Sequence, residues 1–293
     1  MRKFLLLLFI FNALALPSLS AEKVSFFAGD FFNKDARAIR KVLKSQVKYA
    51  NKNDFEKFIA TYDVNYKNAD GFDLEVYSSL VKNLWDVYDN IKYGLEIKNV
   101  KIDGSKAVAE LVETSYAEIS MSPAYEGELK SEAESIYYLE KDKLGRWKVV
   151  SDAVIDETTY MLYGDAKDLD IKLFVPIEIA PNTDYTATLE FTPPEGTIAV
   201  ASIASDKVEY PQKQTEEVFR SLPEDNILER IFTSNDDNAN EYVIASIGLS
   251  KTSMVDKNIY VSLTGFGYAI RRVNVLSEDE SLLVKGGNDV QNR

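Results

Sequence analysis

The spacing of apolar residues changes once along this chain, near residue 93, and that change limits the folds open to it. Before this point, apolar residues recur every three or four positions, as they do on one face of an α-helix. After it, they alternate with polar residues, as they do on one face of a β-strand. The pattern predicts three helices followed by a chain that is almost entirely β-structure.

The first predicted helix begins at Asp35 and is amphipathic. Its apolar side carries Ala36, Ile39, Leu43, Val47 and Ala50. Its opposite side carries a basic stripe made of Lys34, Arg37, Lys41, Lys44 and Lys48. This spacing indicates a helix with one face on a core, and we expect the basic stripe to face water.

Two further helices are predicted before residue 93. Asn53 is the expected cap of a short helix, because Glu56 follows three residues later as in a capping box. Asp73 is the expected cap of a longer helix that extends to about Lys92. The wide apolar face of this longer helix predicts that it covers a sheet.

The next stretch predicts two antiparallel hairpins. The first turns at Asp103-Gly104, and the second joins "SEAESIYYLE" to "GRWKVVSDAVI" through "KDKLG". Trp147 and Val149 share one face of the last strand, and we expect both in the core. The helices and hairpins together predict an α+β domain with a curved sheet of about four strands.

Residues 168–276 predict a second domain of different character. Six or seven short apolar runs are separated by turn-forming stretches such as "APNTD" and "SNDDNAN". This spacing favours an all-β sandwich, which is similar to an immunoglobulin-like sandwich by strand number alone. The stretch "TEEVFRSL" (215–222) predicts one helical turn, and residues 277–293 predict a flexible tail.

The first 20 residues have the pattern of a signal peptide. Arg2 and Lys3 precede an apolar run from Phe4 to Leu16, and small residues lead to Ala21. The run is shorter than the roughly 20 residues of a membrane span, although a retained anchor stays an alternative. We therefore expect cleavage near Ser20/Ala21 and an exported protein, periplasmic or secreted, with an N-terminal segment at 21–33.

The composition restricts the chemistry. The chain has no Cys and no His, so disulfides, thiol chemistry and the usual histidine-based catalytic sites are absent. The chain has 34 Lys and Arg residues and 47 Asp and Glu residues, and the resulting net charge of −13 argues against nucleic-acid binding. Catalysis would have to rest on carboxylates, Lys or Tyr.

Residues from 34 to about 160 resemble the nuclear transport factor 2-like family, which has a cystatin-like cone fold. The likeness rests on the short helix ending in an aromatic residue, the hairpin "VKIDGSKA" and the strand "GRWKV". It implies an α+β cone in which the long helix closes a curved sheet over a pocket. The complete expectation is such a cone at 34–162 followed by a β-sandwich at 168–276, with the boundary near 161–168.

The resemblance also indicates which residues would line the pocket. The expected ligand-binding residues are Tyr62, Leu84, Trp85, Tyr88 and Tyr116. Asp63 and Glu113 are the carboxylates that could act as acid or base in the family's enzymes. The alternatives are that the aromatic residues are ordinary core and that Glu113 lies in water.

Two other features have simple structural interpretations. The oxygen-rich stretches at 68–75 and 234–241 suggest calcium, but their spacing fits Asx turns better, so we expect no metal and no cofactor. Phe26, Phe27, Phe31 and Phe32 precede the basic stripe and could contact a membrane. We instead expect them to pack on the protein.

These observations favour an exported, non-catalytic binding or interaction protein whose pocket holds a small apolar ligand. One alternative is an isomerase- or dehydratase-type enzyme that acts in the same pocket. Another is a structural or adhesion-type protein of the cell envelope, with a homodimer formed through the sheet of the cone.

Overall fold

The computed structural model describes residues 33–122, 125–213 and 216–276. The predicted signal peptide at 1–20, the tail at 277–293 and the four phenylalanines at 26–32 lie outside these residues. Of the predicted segment at 21–33, only Asn33 is described. No helix in the described ranges is long and apolar enough to cross a membrane.

Three α-helices are described, and each begins at a side-chain cap. They are α1 (Lys34–Ala50), α2 (Phe55–Ile59) and α3 (Leu74–Val87). Asn33, Asp54 and Asp73 accept hydrogen bonds from backbone N–H groups of the first turn of α1, α2 and α3. The cap predicted at Asn53 is therefore wrong by one residue, because Asn53 adopts a left-handed conformation (φ 51°) and Asp54 supplies the oxygen.

The remaining elements are strands and one short 3₁₀ helix at Asp165–Asp168. The strands are β1 (Lys92–Asp103), β2 (Lys106–Ser122), β3 (Tyr125–Lys141), β4 (Trp147–Gly164), β5 (Lys172–Phe174), β6 (Glu178–Ile179), β7 (Asp184–Glu190), β8 (Thr197–Lys207), β9 (Arg220–Ser221), β10 (Ile227–Thr233), β11 (Glu241–Val255) and β12 (Asn258–Val275).

The predicted fold class, an α+β cone followed by a sandwich, is wrong. The described part of the protein is mostly β, with 55% of its residues in strands and 17% in helices. Nine strands form one large sheet, along which the order is β1-β2-β3-β4-β12-β11-β8-β9, while β6 pairs with β12. The physical reason lies in β4, which is 18 residues long and continues to Gly164, past the predicted end of the cone at 162, so that β12 pairs with it from Thr158 to Gly164.

Two compact units can be distinguished within the described residues. The helical unit comprises 33–117 and 130–154, and the sheet unit comprises 118–122, 125–129, 155–213 and 216–276. The units divide β4 between Val154 and Ile155, whereas the sequence places a boundary near 161–168. The predicted domain ranges stay a prediction.

The sheet unit has two β layers around a common core, which is compatible with a β-sandwich. A three-stranded sheet, in the order β10-β7-β5, lies against strands β8, β11 and β12. One buried cluster contains Ala187 and Leu189 of β7, Phe191 just after β7, Ala201 of β8 and Val243 of β11. Residues 216–222 form no helix, so the helical turn predicted there is wrong, and Arg220 and Ser221 pair with β8 instead.

Trp147 is buried, as its alternation with polar neighbours predicts. Its indole Nε1 donates to Asp35 Oδ1 at 3.1 Å, and the same carboxylate accepts a hydrogen bond from Lys141. The start of β4 is thereby tied to the first turn of α1.

Replacing Trp147 by Ala should lower the free energy of unfolding by about 3–5 kcal/mol, because a large buried side chain is removed. Urea denaturation followed by circular dichroism measures the change. Tyr138→Ala is the matched control, since Tyr138 lies on the opposite, exposed face of β3. Equal losses in both variants would contradict the core role of Trp147.

Candidate functional site

A buried network of tyrosine hydroxyl groups, with the Glu113 carboxylate as one of its acceptors, occupies the helical unit. The hydroxyl groups of Tyr62 and Tyr77 lie 2.8 Å apart, and Tyr137 is a further hydrogen-bond partner of Tyr62. Tyr137 donates its hydroxyl hydrogen to Glu113 Oε1 at 2.9 Å. The network therefore runs from α3 through the loop after α2 to the sheet strands β3 and β2.

The rings of this network pack closely on one another and on Phe58. Tyr62 lies 5.0 Å from Tyr66 and 5.0 Å from Tyr77, measured between ring centroids. Phe58 lies 5.6 Å from Trp85, whose Nε1 donates to the Tyr93 hydroxyl at 2.9 Å. Contacts of this kind add stability beyond the area that they bury, so these aromatic side chains form a packed core.

Burial controls the protonation of the phenols. Desolvation raises the pKa of Tyr62, Tyr66, Tyr77 and Tyr137 well above the usual value. The negative charge of Glu113 raises the pKa of Tyr137 further. The four phenols are therefore neutral hydrogen-bond donors at physiological pH.

The structure brings together only some of the predicted ligand-binding residues. Tyr62, Leu84, Trp85 and Tyr88 are buried in the helical unit, and burial raises the pKa of Tyr88 to about 12. Tyr116 lies on the opposite face of β2 from Glu113, because side chains alternate along the strand. Tyr116 therefore does not line the same site.

The two predicted carboxylates have different surroundings. Glu113 is only 6% exposed and does not lie in water. Asp63 is half-buried and accepts hydrogen bonds from the backbone N–H and the side-chain amide of Asn65, as in an Asx turn. Asp63 is thus engaged in local turn structure, and Glu113 is the better candidate for chemistry.

Sequence reasoning missed four members of the site, namely Tyr66, Tyr77, Tyr137 and Asp152. Tyr66 donates a short hydrogen bond to Asp152 of β4, and Tyr137 holds Glu113. The alternation of side chains along β3 could have indicated Tyr137, since it shares a face of the strand with the small residues Ser131 and Ser135. The contact between Tyr66 and Asp152 joins residues 86 positions apart, and no local pattern indicates it.

Both oxygen-rich stretches contain an asparagine whose side chain holds a turn. Asn68 Oδ1 accepts from the Phe72 N–H at 2.8 Å, and Asn235 Oδ1 accepts from the Ala239 N–H at 3.0 Å, so both asparagines hold turns. In the described ranges, no group of three or more acidic, His or Cys side chains is placed to hold a metal ion.

A small cleft lies in the sheet unit beside β8 and β10. It encloses about 60 Å³ and is lined by Ile203, Val218, Arg220, Leu228, Glu229 and Arg230. Pockets for small molecules usually enclose about 300–1,000 Å³. This cleft can hold a few water molecules and is too small for a substrate.

A β-hairpin in the sheet unit presents a second kind of candidate site, which we call the arm (residues 252–263). Strand β11 is buried from Glu241 to Leu249 and exposed from Lys251 onward, while β12 is exposed from Asn258 to Leu263. A two-residue turn at Asp256 and Lys257, both with positive φ, joins the strands. The turn lacks the Asn-Gly or Asp-Gly pair that usually indicates a hairpin in a sequence.

One face of the arm is apolar. Met254 pairs with Ile259, and Thr252 pairs with Val261, which places these four side chains on the same face as Leu263. Met254, Ile259, Val261 and Leu263 are between 45% and 74% exposed. A contiguous exposed apolar surface is typical of an interaction site, whereas a single exposed apolar residue is not.

Both edges of the arm lack a strand partner among the described residues. Strand β8 pairs with β11 only as far as Lys251, and β4 pairs with β12 only from Gly265. The Leu263 carbonyl accepts a hydrogen bond from the Tyr125 hydroxyl. The arm therefore offers two open edges on which an additional strand could pair.

Comparisons with known proteins give little information. No family model matches this chain, and no curated protein matches it in sequence. One solved structure that it resembles is described as "Structure of Bdellovibrio bacteriovorus Bd1075", with 18% identity over 41% of this chain and a TM-score of 0.33. The match spans only 40% of that protein, and a likeness this weak does not establish a shared fold.

The buried phenols predict a loss of stability at high pH. The pKa of each is raised in the folded state relative to about 10 in the unfolded chain. Their contribution is therefore complete below pH 10 and decreases as the pH rises above it, because only the unfolded chain releases the protons. Above pH 10, the circular dichroism of the folded state should be lost together with the ionisation of the buried phenols, which adds to the phenolate absorbance of the exposed tyrosines.

Two matched variants measure how much one phenol of the network, that of Tyr137, contributes to this pH dependence. Tyr137→Phe should reduce the slope of the unfolding free energy above pH 10 by about 1.4 kcal/mol per pH unit, which corresponds to one proton. Tyr138→Phe removes an exposed phenol from the other face of β3 and should leave that slope unchanged. Ionisation of all buried tyrosines while the protein stays folded would contradict the network.

Proposed function

We propose that this is an exported, non-catalytic interaction protein that binds an extended segment of a partner protein along the arm. The single observation that carries the proposal is that the arm combines an exposed apolar face with open strand edges. The resemblance to nuclear transport factor 2-like proteins, the signal peptide and the immunoglobulin-like character of the second domain stay predictions beside it.

The chemistry of the arm favours a protein strand over other occupants. Backbone N–H and C=O groups on an open edge need hydrogen-bond partners, and hydrocarbon supplies none, which disfavours insertion into a bilayer. A strand added to the edge satisfies these groups, and its alternate side chains contact the apolar face. The partner segment is therefore expected to be extended, with apolar residues at alternate positions.

The charge of the arm also restricts the partner. Residues 258–263 carry no charge, although the whole chain has a net charge of −13. An acidic protein repels other acidic surfaces, and an uncharged edge is where that repulsion is weakest. Affinity along the arm should therefore depend on backbone pairing and apolar contact, and only weakly on salt concentration.

The proposal predicts that Val261→Lys abolishes binding, since a charge on the apolar face opposes burial of a partner strand. A photo-crosslinker in place of Tyr260, in cells that export the protein, identifies the partner. Hydrogen exchange then tests the mode of binding. The amides of Asn258–Ser262 should become protected on binding by the wild-type protein and not in the variant.

Ile231→Lys is the matched control for this experiment. Ile231 is an exposed apolar residue in β10, which belongs to the three-stranded sheet. Crosslinking that is lost equally in both variants, or that reaches lipid alone, would contradict the proposal. A dimer of the full chain that dissociates in Val261→Lys would identify the partner strand as that of a second copy.

A second candidate function is acid–base catalysis of the isomerase or dehydratase type, and the burial of Glu113 favours it. A desolvated carboxylate beside neutral phenols is the arrangement that such a reaction requires. Against it, the aromatic side chains of the helical unit pack closely on one another. We therefore rank catalysis second.

The two functions are separated by assaying enone, polyketide-like and steroid-like substrates. We expect no turnover and at most a change in Trp85 fluorescence, because the packed rings leave little room for substrate. Turnover that Glu113→Gln abolishes and Glu110→Gln preserves would establish the enzyme instead. Glu110 is the matched control because it lies on the other face of β2, where it forms a salt bridge with Lys101.

A further inference from the structure

We propose that the basic stripe of α1 (Lys34, Arg37, Lys41, Lys44 and Lys48) is a docking surface for an anionic lipid bilayer. This site is separate from the arm and does not depend on the proposed function there. It takes negatively charged phospholipid headgroups through the five side chains together.

The geometry of the stripe is the first observation. All five residues are exposed, while Ala36, Ile39, Leu43, Gln46 and Ala50 form the buried face of the same helix. The apolar face can therefore pack on the core while the basic stripe stays accessible, because the two lie on different sides of α1. From Lys34 to Lys48 the stripe extends about 21 Å along a straight helix, at 1.5 Å per residue.

The charge of α1 is the second observation. The helix has six basic residues and one acidic residue, a net charge of +5, within a chain of net charge −13. The single acidic residue, Asp35, is engaged by Lys141 and Trp147. None of the five stripe residues forms a salt bridge with a described residue.

The basic stripe destabilises α1, whereas an ordinary solvated face of mixed charge does not. Neighbouring stripe residues are three or four positions apart, where like charges repel and destabilise a helix. Glutamates at intervening positions would relieve the repulsion, as they do on many exposed helices, and α1 has none. An anionic surface would relieve it instead.

The sequence before α1 favours a membrane over a soluble polyanion. The apolar run Phe4–Leu16 has the pattern of a signal peptide, which would bring the chain to a membrane during export, and Lys34 lies only 18 residues after Leu16. Because the Debye length is about 8 Å at physiological ionic strength, acidic surfaces elsewhere on the protein are largely screened.

The test is sedimentation with vesicles of phosphatidylcholine, with and without phosphatidylglycerol. The chain from residue 21 onward is used, since it contains every described residue and lacks the apolar run. Binding should require phosphatidylglycerol and decrease with added salt. Lys41→Gln/Lys44→Gln/Lys48→Gln should weaken it on the order of 100-fold, from about fivefold for each basic residue.

Two matched variants accompany this one. Lys67→Gln/Lys143→Gln/Lys167→Gln changes the net charge equally at exposed lysines outside the stripe and should bind like the wild type. Lys41→Arg/Lys44→Arg/Lys48→Arg keeps the charge and should also bind. The glutamine variant of the stripe should unfold at the same or a higher temperature than the wild type, because helix repulsion is reduced.

Four results would overturn the proposal. They are equal binding to vesicles without phosphatidylglycerol, equal loss in the two glutamine variants, loss in the arginine variant, and binding to polyphosphate as tight as to the vesicles. The last would assign the stripe to a soluble polyanion.

Discussion

The close approach of β4 and β12 at Gly164 and Gly265 determines much of the sheet unit. A Cβ on Gly265 would lie 2.5 Å from the Ala166 nitrogen, and one on Gly164 would collide with the Thr264 carbonyl. Gly164 also has a positive φ of 57°, which glycine adopts without strain. Only here can β4 turn into the 3₁₀ helix while β12 continues, so the arm begins where β4 leaves the sheet.

The same strand, β4, connects the chemistry of the helical unit with the architecture of the sheet unit. Its first half carries Trp147, which is bonded to α1, and Asp152, which is bonded to Tyr66. Its second half provides the edge on which β12 pairs. The 18 residues of β4 are therefore shared between the two units.

The arm, the stripe on α1 and the buried network around Glu113 thus favour different kinds of interaction. The arm exposes apolar side chains and unpaired backbone, which together favour a strand partner. The stripe on α1 concentrates positive charge without local compensation, which favours an anionic surface. The network around Glu113 buries its polar groups among packed rings. The raised pKa values keep the phenols neutral, and hydrogen bonds hold them in place.

The sequence by itself determined the local structure: the three helices, the cap at Asp73, the buried face of β2 and the core position of Trp147 all follow from spacing. Tertiary structure alone decided the pairing of β4 with β12, the meeting of Tyr137 with Glu113 and the contact between Tyr66 and Asp152. These contacts join residues up to 113 positions apart, counted from Thr158 to Arg271. Periodicity reports which face of an element is buried, whereas the partner across that face depends on how the whole chain packs.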